Sequence, residues 1–130
     1  MTHPNEEPVR RGYEAFLGGD LAALNDMFAD DIVWHVPGNH QLAGDYRGKD
    51  AVFGNFAKVF ELTGGSFQLE IHDVLANDDH VVVLARATGK IGDRTLDDQG
   101  VQLFHVKDGK ATEQWLYSGD QRAADEFWGQ

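Results

Sequence analysis

Apolar positions recur along the first third of the chain with a helical period. Val9, Tyr13, Phe16 and Leu17 fall at i, i+4, i+7 and i+8, one stripe of a helix starting near Pro8 and stopped by Gly18 and Gly19. Asp20 then offers an N-cap oxygen for a second helix with Leu21, Leu24, Met27 and Phe28 on its inner side. Residues 31–36 are short and rich in β-branched and aromatic types, and Pro37-Gly38 ends them, so they predict a first strand followed by a polar loop over 39–47. A third helix starts near Gly48 or Lys49, turns Val52, Phe53, Phe56, Val59 and Phe60 inward, and stops at Gly64-Gly65.

Beyond that point the period changes to two. Phe67, Leu69 and Ile71 alternate with Gln68, Glu70 and His72. The Asn77-Asp78-Asp79 turn leads into a strand over 81–90, and Gly92-Asp93 turns again. Strands over 95–106 and 111–117 are joined through Asp108-Gly109, a strong hairpin signal, and a last helical turn runs from Asp120 to Trp128. Helices gathered before a run of antiparallel strands predict one α+β domain over residues 1–130, with helices covering one face of a bent sheet.

Composition narrows the partners. The 130 residues include 22 acidic and 11 basic side chains, a formal net charge of −11 that repels phosphate backbones and anionic lipid. Neither nucleic acid nor membrane is expected as a partner. With no cysteine, disulfides, thiol catalysis and cysteine-ligated zinc are excluded. The longest apolar run, 81–85, is far shorter than the roughly 20 residues of a membrane helix. Residues 1–7 are polar and acidic where a signal peptide would be basic and then apolar, so a cytoplasmic location is expected. The six histidines show none of the short metal-binding spacings, so neither a metal nor another cofactor is expected.

Three stretches together carry a family resemblance: Gly18-Gly19-Asp20-Leu21 leading to Met27-Phe28-Ala29-Asp30-Asp31; Trp34-His35-Val36-Pro37-Gly38 with Leu42-Ala43-Gly44-Asp45-Tyr46-Arg47-Gly48; and Asp108-Gly109-Lys110 followed by Gln114-Trp115. In this order they resemble the nuclear transport factor 2-like (NTF2-like) superfamily, and within it the SnoaL-like branch that includes polyketide cyclases and ketosteroid isomerases. The resemblance spans nearly the whole chain. It implies a cone-shaped half-barrel, with three N-terminal helices packed on a curved, mainly antiparallel sheet, a pocket between them, and a homodimer through the outer sheet face. Leu103, Trp115 and Tyr117 would otherwise form an exposed apolar patch there.

The branch's catalytic groups do not carry over. Ketosteroid isomerases place a carboxylate just before the proline that ends the first strand, where this chain has Val36; the branch's cyclases place an aspartate after the last strand's tryptophan, where it has Leu116. No Arg-x-Asp occurs, as epoxide-hydrolase relatives require. The oxyanion-hole positions correspond to Gly12, with Tyr13 one residue out of register, and Gln102. A glutamine donates a hydrogen bond without any pKa shift, so half of such a hole survives.

On strand alternation Gln102 and Phe104 share the concave face with Thr112, Gln114, Leu116 and Ser118, while Trp34 and Val36 share one face of the first strand. Phe16 or Leu17, Asn55 or Phe56, and Ala85 and Ala87 complete the wall. The expected ligand is a small, mostly hydrophobic molecule with one or two polar atoms, bound by Tyr13, Phe16, Trp34, Val36, Asn55 and Phe56 from one side and by Phe104, Gln114 and Leu116 from the other. Trp34 either fills the cone or stacks on the ligand. Gln102 and Gln114 either pair with each other or face it, because a buried amide without a partner costs about 1–3 kcal/mol. Two bases are available. His72 serves if its face is concave and is otherwise a solvated histidine; Asp98, four residues before Gln102, shares that residue's face. Two readings follow: a cofactor-independent proton-transfer enzyme with His72, Asp98 and Gln102 as catalytic groups, or a non-catalytic ligand-binding or dimeric accessory protein.

Overall fold

The computed structural model describes residues 3–130, so the part of the N-terminal reading that rests on Met1 and Thr2 lies outside the described residues. Helix α1 (Glu6–Gly18) ends where Gly19 adopts φ 73°, a left-handed conformation that lets the Asp20 N–H reach back to the Ala15 carbonyl at 2.9 Å. Asp20 then caps α2 (Leu21–Met27) by accepting the Ala23 N–H at 3.1 Å. Leu17 and Leu21 flank this tight junction and stay exposed, against the inward placement expected of both. Phe28 also departs from expectation: it begins strand β1 (Phe28–Val36) rather than extending α2.

The polar loop hides a short strand, β2 (Gly44–Arg47), which pairs antiparallel with the end of β1. Helix α3 (Lys49–Leu62) follows, with Val52, Asn55, Phe56 and Val59 buried at i, i+3, i+4 and i+7. The rest is a meander of β3 (Gln68–Ala76), β4 (His80–Ile91), β5 (Arg94–Lys107) and β6 (Lys110–Tyr117), closed by helix α4 (Gln121–Trp128). Asp108 and Gly109, both at positive φ, form the β5–β6 turn. The order β2-β1-β6-β5-β4-β3 is antiparallel throughout except where β1 and β6 lie parallel. The architecture is the expected α+β one: an open six-stranded sheet with four helices packed on it.

Irregularities in pairing decide which residues face inward. Between Ile71 and Asp73 the register slips by one residue, so Leu69 and Ile71 share the packed face with Val74 and Ala76 while His72 is left exposed. A second slip, between His105 and Val106, sets Ala111 rather than the expected Thr112 into the core; the Thr112 hydroxyl turns to the His105 carbonyl at 3.3 Å. The core divides in two. The larger part packs α1 and α3 on the sheet through Val9, Tyr13, Ile32, Trp34, Val52 and Phe104; the smaller one joins Leu42, Val59, Leu96, Ala124, Phe127 and Trp128. No helix among the described residues is long and apolar enough to cross a membrane.

Candidate functional site

A cavity of about 160 Å³ lies between the helices and the concave side of the sheet. An engineered apolar cavity of roughly 150 Å³ takes up one benzene, so this space suits a one-ring molecule, or a larger one reaching out through the opening. Aromatic rings form much of the wall. Trp34 meets Phe56 edge-on at 5.1 Å and Phe104 at 5.8 Å, and Phe16 meets Phe56 at 4.9 Å. These contacts fix the rings in geometries that aromatic quadrupoles favour. Trp34 is thus both packed in the core and part of the cavity surface.

Polar groups are few and come from definite places. Tyr13 projects from α1 and donates its hydroxyl to Gln102 Oε1 on β5. Burial pushes the Tyr13 phenol well above its ordinary value, so it remains a protonated donor. With Oε1 engaged, the Gln102 amide has its N–H₂ left to offer a ligand oxygen. Gln102 therefore pairs with Tyr13 and not with Gln114. Asp98, on the same face of β5, accepts the Ser118 hydroxyl at 2.6 Å and the Gly119 N–H at 2.9 Å. Gly119 is required there, since a Cβ would strike the Gln99 carbonyl.

The loop after β1 is bonded to α4, and both contribute to the cavity wall. The Asn39 N–H donates to Asp125 Oδ1 at 2.9 Å, the Gln41 N–H to the Gly129 carbonyl at 2.7 Å, and the Gln41 amide to the Trp128 carbonyl at 2.7 Å. Gly38 sits at φ 103°, a conformation that strains any residue with a Cβ, and lies against the side-chain ends of Gln121 and Asp125. The Asn39 N–H and then the Gln121 amide hold the Asp125 carboxyl below its ordinary value despite some desolvation. His40 sits in this loop, 9% exposed, and lines the cavity. Its Nδ1 accepts the Leu42 N–H at 3.1 Å, which leaves the proton of the neutral ring on Nε2. Burial lowers its pKa more than the nearby Asp125 charge and a hydrogen bond to the Pro37 carbonyl raise it, so the ring is neutral around pH 7.

Among the expected residues, Tyr13, Phe16, Trp34, Val36, Asn55 and Phe56 line the cavity from the helices and β1, and Asp98, Gln102, Phe104 and Leu116 line it from β5 and β6. Four placements differ. Ala85 is buried in the core and outside the lining, which only Ala87 of the expected pair joins. His72 is exposed on β3 and outside the lining, because Leu69 is on the cavity side and His72 projects from the register slip. Gln114 is fully buried between its strand neighbours Trp34 and Phe104 without itself reaching the cavity surface. Leu17 is exposed, leaving Phe16 as the helix's contribution. His40, Gln121 and Trp128 were missed as wall residues. Leu42, an apolar residue inside an otherwise polar loop, was the available sign that this loop packs inward. Among the described residues no three His, Asp or Glu side chains converge as metal ligands.

The convex face is built differently. His35 bridges Asp45 on β2 and Glu113 on β6, each at 2.6 Å, and stacks on Trp115 at 5.1 Å and 17°. Burial alone would lower the His35 pKa, but the hydrogen bonds to Glu113 and Asp45 and their charges outweigh it and the net shift is upward. Trp115 in turn meets His105 at 4.7 Å, and Tyr117 is 52% exposed.

Comparison with known proteins places these features in a family. Residues 9–114 match the SnoaL-like domain. An uncharacterized protein of Mycobacterium tuberculosis is 35% identical over 121 residues, 92% of each chain. Among solved structures, Bal32a from a soil-derived mobile gene cassette superposes with a TM-score of 0.92 at 38% identity, covering 95% of both chains. An NTF2-like protein from Burkholderia xenovorans LB400 superposes with a TM-score of 0.85 at 28% identity, covering 99% of this chain and 98% of its own.

Proposed function

Since the chain belongs to the SnoaL-like domain family, in the NTF2-like superfamily, we propose that its cavity binds a small, mostly hydrophobic carbonyl compound and, as an isomerase or cyclase would, moves a proton on it without a cofactor. The observation that carries this reading is the Tyr13–Gln102 contact, which turns a half-buried amide into a fixed donor on the wall of an aromatic cavity. In this reading Gln102 N–H₂ holds the carbonyl oxygen, stabilises the charge that develops there on enolisation, and keeps Tyr13 as its positioning partner. Asp98 is the base, held in place by Ser118 and Gly119; His72, outside the cavity, has no part in it. Hydrogen–deuterium exchange next to the carbonyl of a bound ketone tests the proposal. Asp98→Asn should lower the rate at least a hundredfold, within the usual range for a general base, while leaving ligand affinity within a fewfold. Full rate in Asp98→Asn refutes the proton-transfer step.

Val36 and Leu116, apolar where relatives of the resembled branch bear acids, favour a second reading, a non-catalytic ligand-binding or accessory protein using the same cavity. Bound ketone with no exchange above the solvent rate would select it. In both readings we take the assembly to be a homodimer through the convex face at Leu103, Trp115 and Tyr117.

A further inference from the structure

Asn55 stands out among the cavity's polar residues for being buried and unsatisfied. It lies on α3 in the inward row with Val52, Phe56 and Val59, is 6% exposed, and lines the cavity, yet its Oδ1 has no hydrogen-bond partner among the described residues. Nearly all buried polar atoms in folded proteins are paired, and an orphaned one costs stability that a leucine at the same helical position would not. The cost is not repaid elsewhere in the fold. Gln114, fully buried and likewise without a partner for either amide atom, makes the same region doubly short of hydrogen bonds.

The fully buried unpaired atom of Asn55 is its carbonyl oxygen, which can only accept; the Nδ2 of the same amide has no partner among the described residues either. On the sheet side Gln102 has its oxygen occupied by Tyr13 and offers a donor. The cavity thus presents an acceptor from the helix layer and a donor from the sheet layer. Its charged residues are equally selective: among the described residues no lysine or arginine lines it, and Asp98 is its one carboxylate. An anionic ligand would enter without a counter-ion and against that carboxylate.

We propose that Asn55 is a specificity-determining residue whose Oδ1 receives a hydroxyl or N–H of the ligand, and that the ligand class is an uncharged ring compound bearing both a carbonyl and such a donor, with carboxylates excluded. This rests on the cavity being a ligand site, as proposed above, and adds to it the second functional group.

Calorimetric titration below neutrality with ethylbenzene, acetophenone, the para and meta isomers of hydroxyacetophenone, and para-acetylbenzoate tests it. One hydroxylated isomer should bind about 3- to 10-fold more tightly than acetophenone, the worth of one neutral hydrogen bond, and the benzoate should not bind detectably. Asn55→Leu should abolish the hydroxyl preference while leaving acetophenone affinity within about twofold, and should raise the Tm of the free protein by about 2–4 °C. A merely structural asparagine would lose Tm instead. If Asn55→Leu does not fold because of its volume, Asn55→Ala removes the same oxygen and carries the affinity comparison. Gln114→Met, away from the cavity surface, should leave the preference intact. Equal affinity for hydroxylated and plain acetophenone in the wild type overturns the proposal but not the ligand site; failure of every neutral compound to bind overturns both.

Discussion

On the concave side β5 and β6 carry Asp98, Gln102, Phe104 and Leu116, while on the convex side the same two strands carry Leu103, His105, Glu113 and Trp115. Alternation along one pair of strands thus makes two environments a sheet's thickness apart. Inside, the polar groups are amides, the Tyr13 and Ser118 hydroxyls, the His40 ring and one carboxylate, set among aromatic rings. Outside, an imidazole is clamped between two carboxylates on a tryptophan face. The histidines follow the same division. Burial holds His40 neutral in the wall of the cavity, whereas Glu113 and Asp45 raise His35 on the outer face. The same side-chain type is placed on opposite sides of its ordinary 6.5 by what surrounds it.

The contrast is most directly broken by truncating one tryptophan on each side. Trp34→Ala removes a ring packed on Phe28, Phe56 and Phe104 and should cost about 3–5 kcal/mol in a denaturant melt. Trp115→Ala, on the half-exposed outer face, should cost clearly less in a dilute sample. Trp115→Glu should also shift the sedimentation mass from dimer to the 14.4 kDa monomer; a wild type that already sediments as monomer refutes the proposed assembly.

A smaller effect sharpens the comparison through pH. The folded pKa of His35 is raised, so its contribution to stability is fully present below 6.5 and is lost as pH rises through the raised value. The folded pKa of His40 is lowered, so its contribution is present above 6.5 and is lost as pH falls through the depressed value. Urea melts of His35→Gln and His40→Gln across a pH series should therefore give wild-type-minus-variant differences that slope in opposite directions. Parallel slopes would mean that the two faces do not impose different protonation. Smallest of all is the exposed Arg86–Asp97 pair on the convex side, with two hydrogen bonds of 2.8 and 2.7 Å. Asp97→Asn should leave the Tm unchanged at physiological salt.

Elements with strong period were legible in the sequence: the inward row of α3, the Asp20 and Asp120 caps and the Asp108-Gly109 turn all stand where their residues imply. What was not legible depends on pairing partners distant in the chain. A single extra residue at His72 or Thr112 reverses the alternation across it, displacing Val74 and Ala76 after the one and Ala111 before the other, and nothing local at either position announces it. Leu17 and Leu21 follow the helical stripe yet stay exposed, because the stripe is broader than the surface available to cover it. For the site, alternation correctly set Asp98 and Gln102 on one wall, since β5 is regular between them. His40 escaped notice because its burial comes from α4 closing over the loop, a contact between segments far apart in sequence.

The parallel junction of β1 with β6 has a bearing on biosynthesis. Trp34 pairs with Gln114, on a strand synthesised well after its own, so β1 leaves the ribosome before the neighbour that completes its ladder exists. Until that later strand emerges, Ile32 and Trp34 have no finished sheet to join, and the unpaired edge of β1 stays open to wrong partners while β3, β4 and β5 are being made.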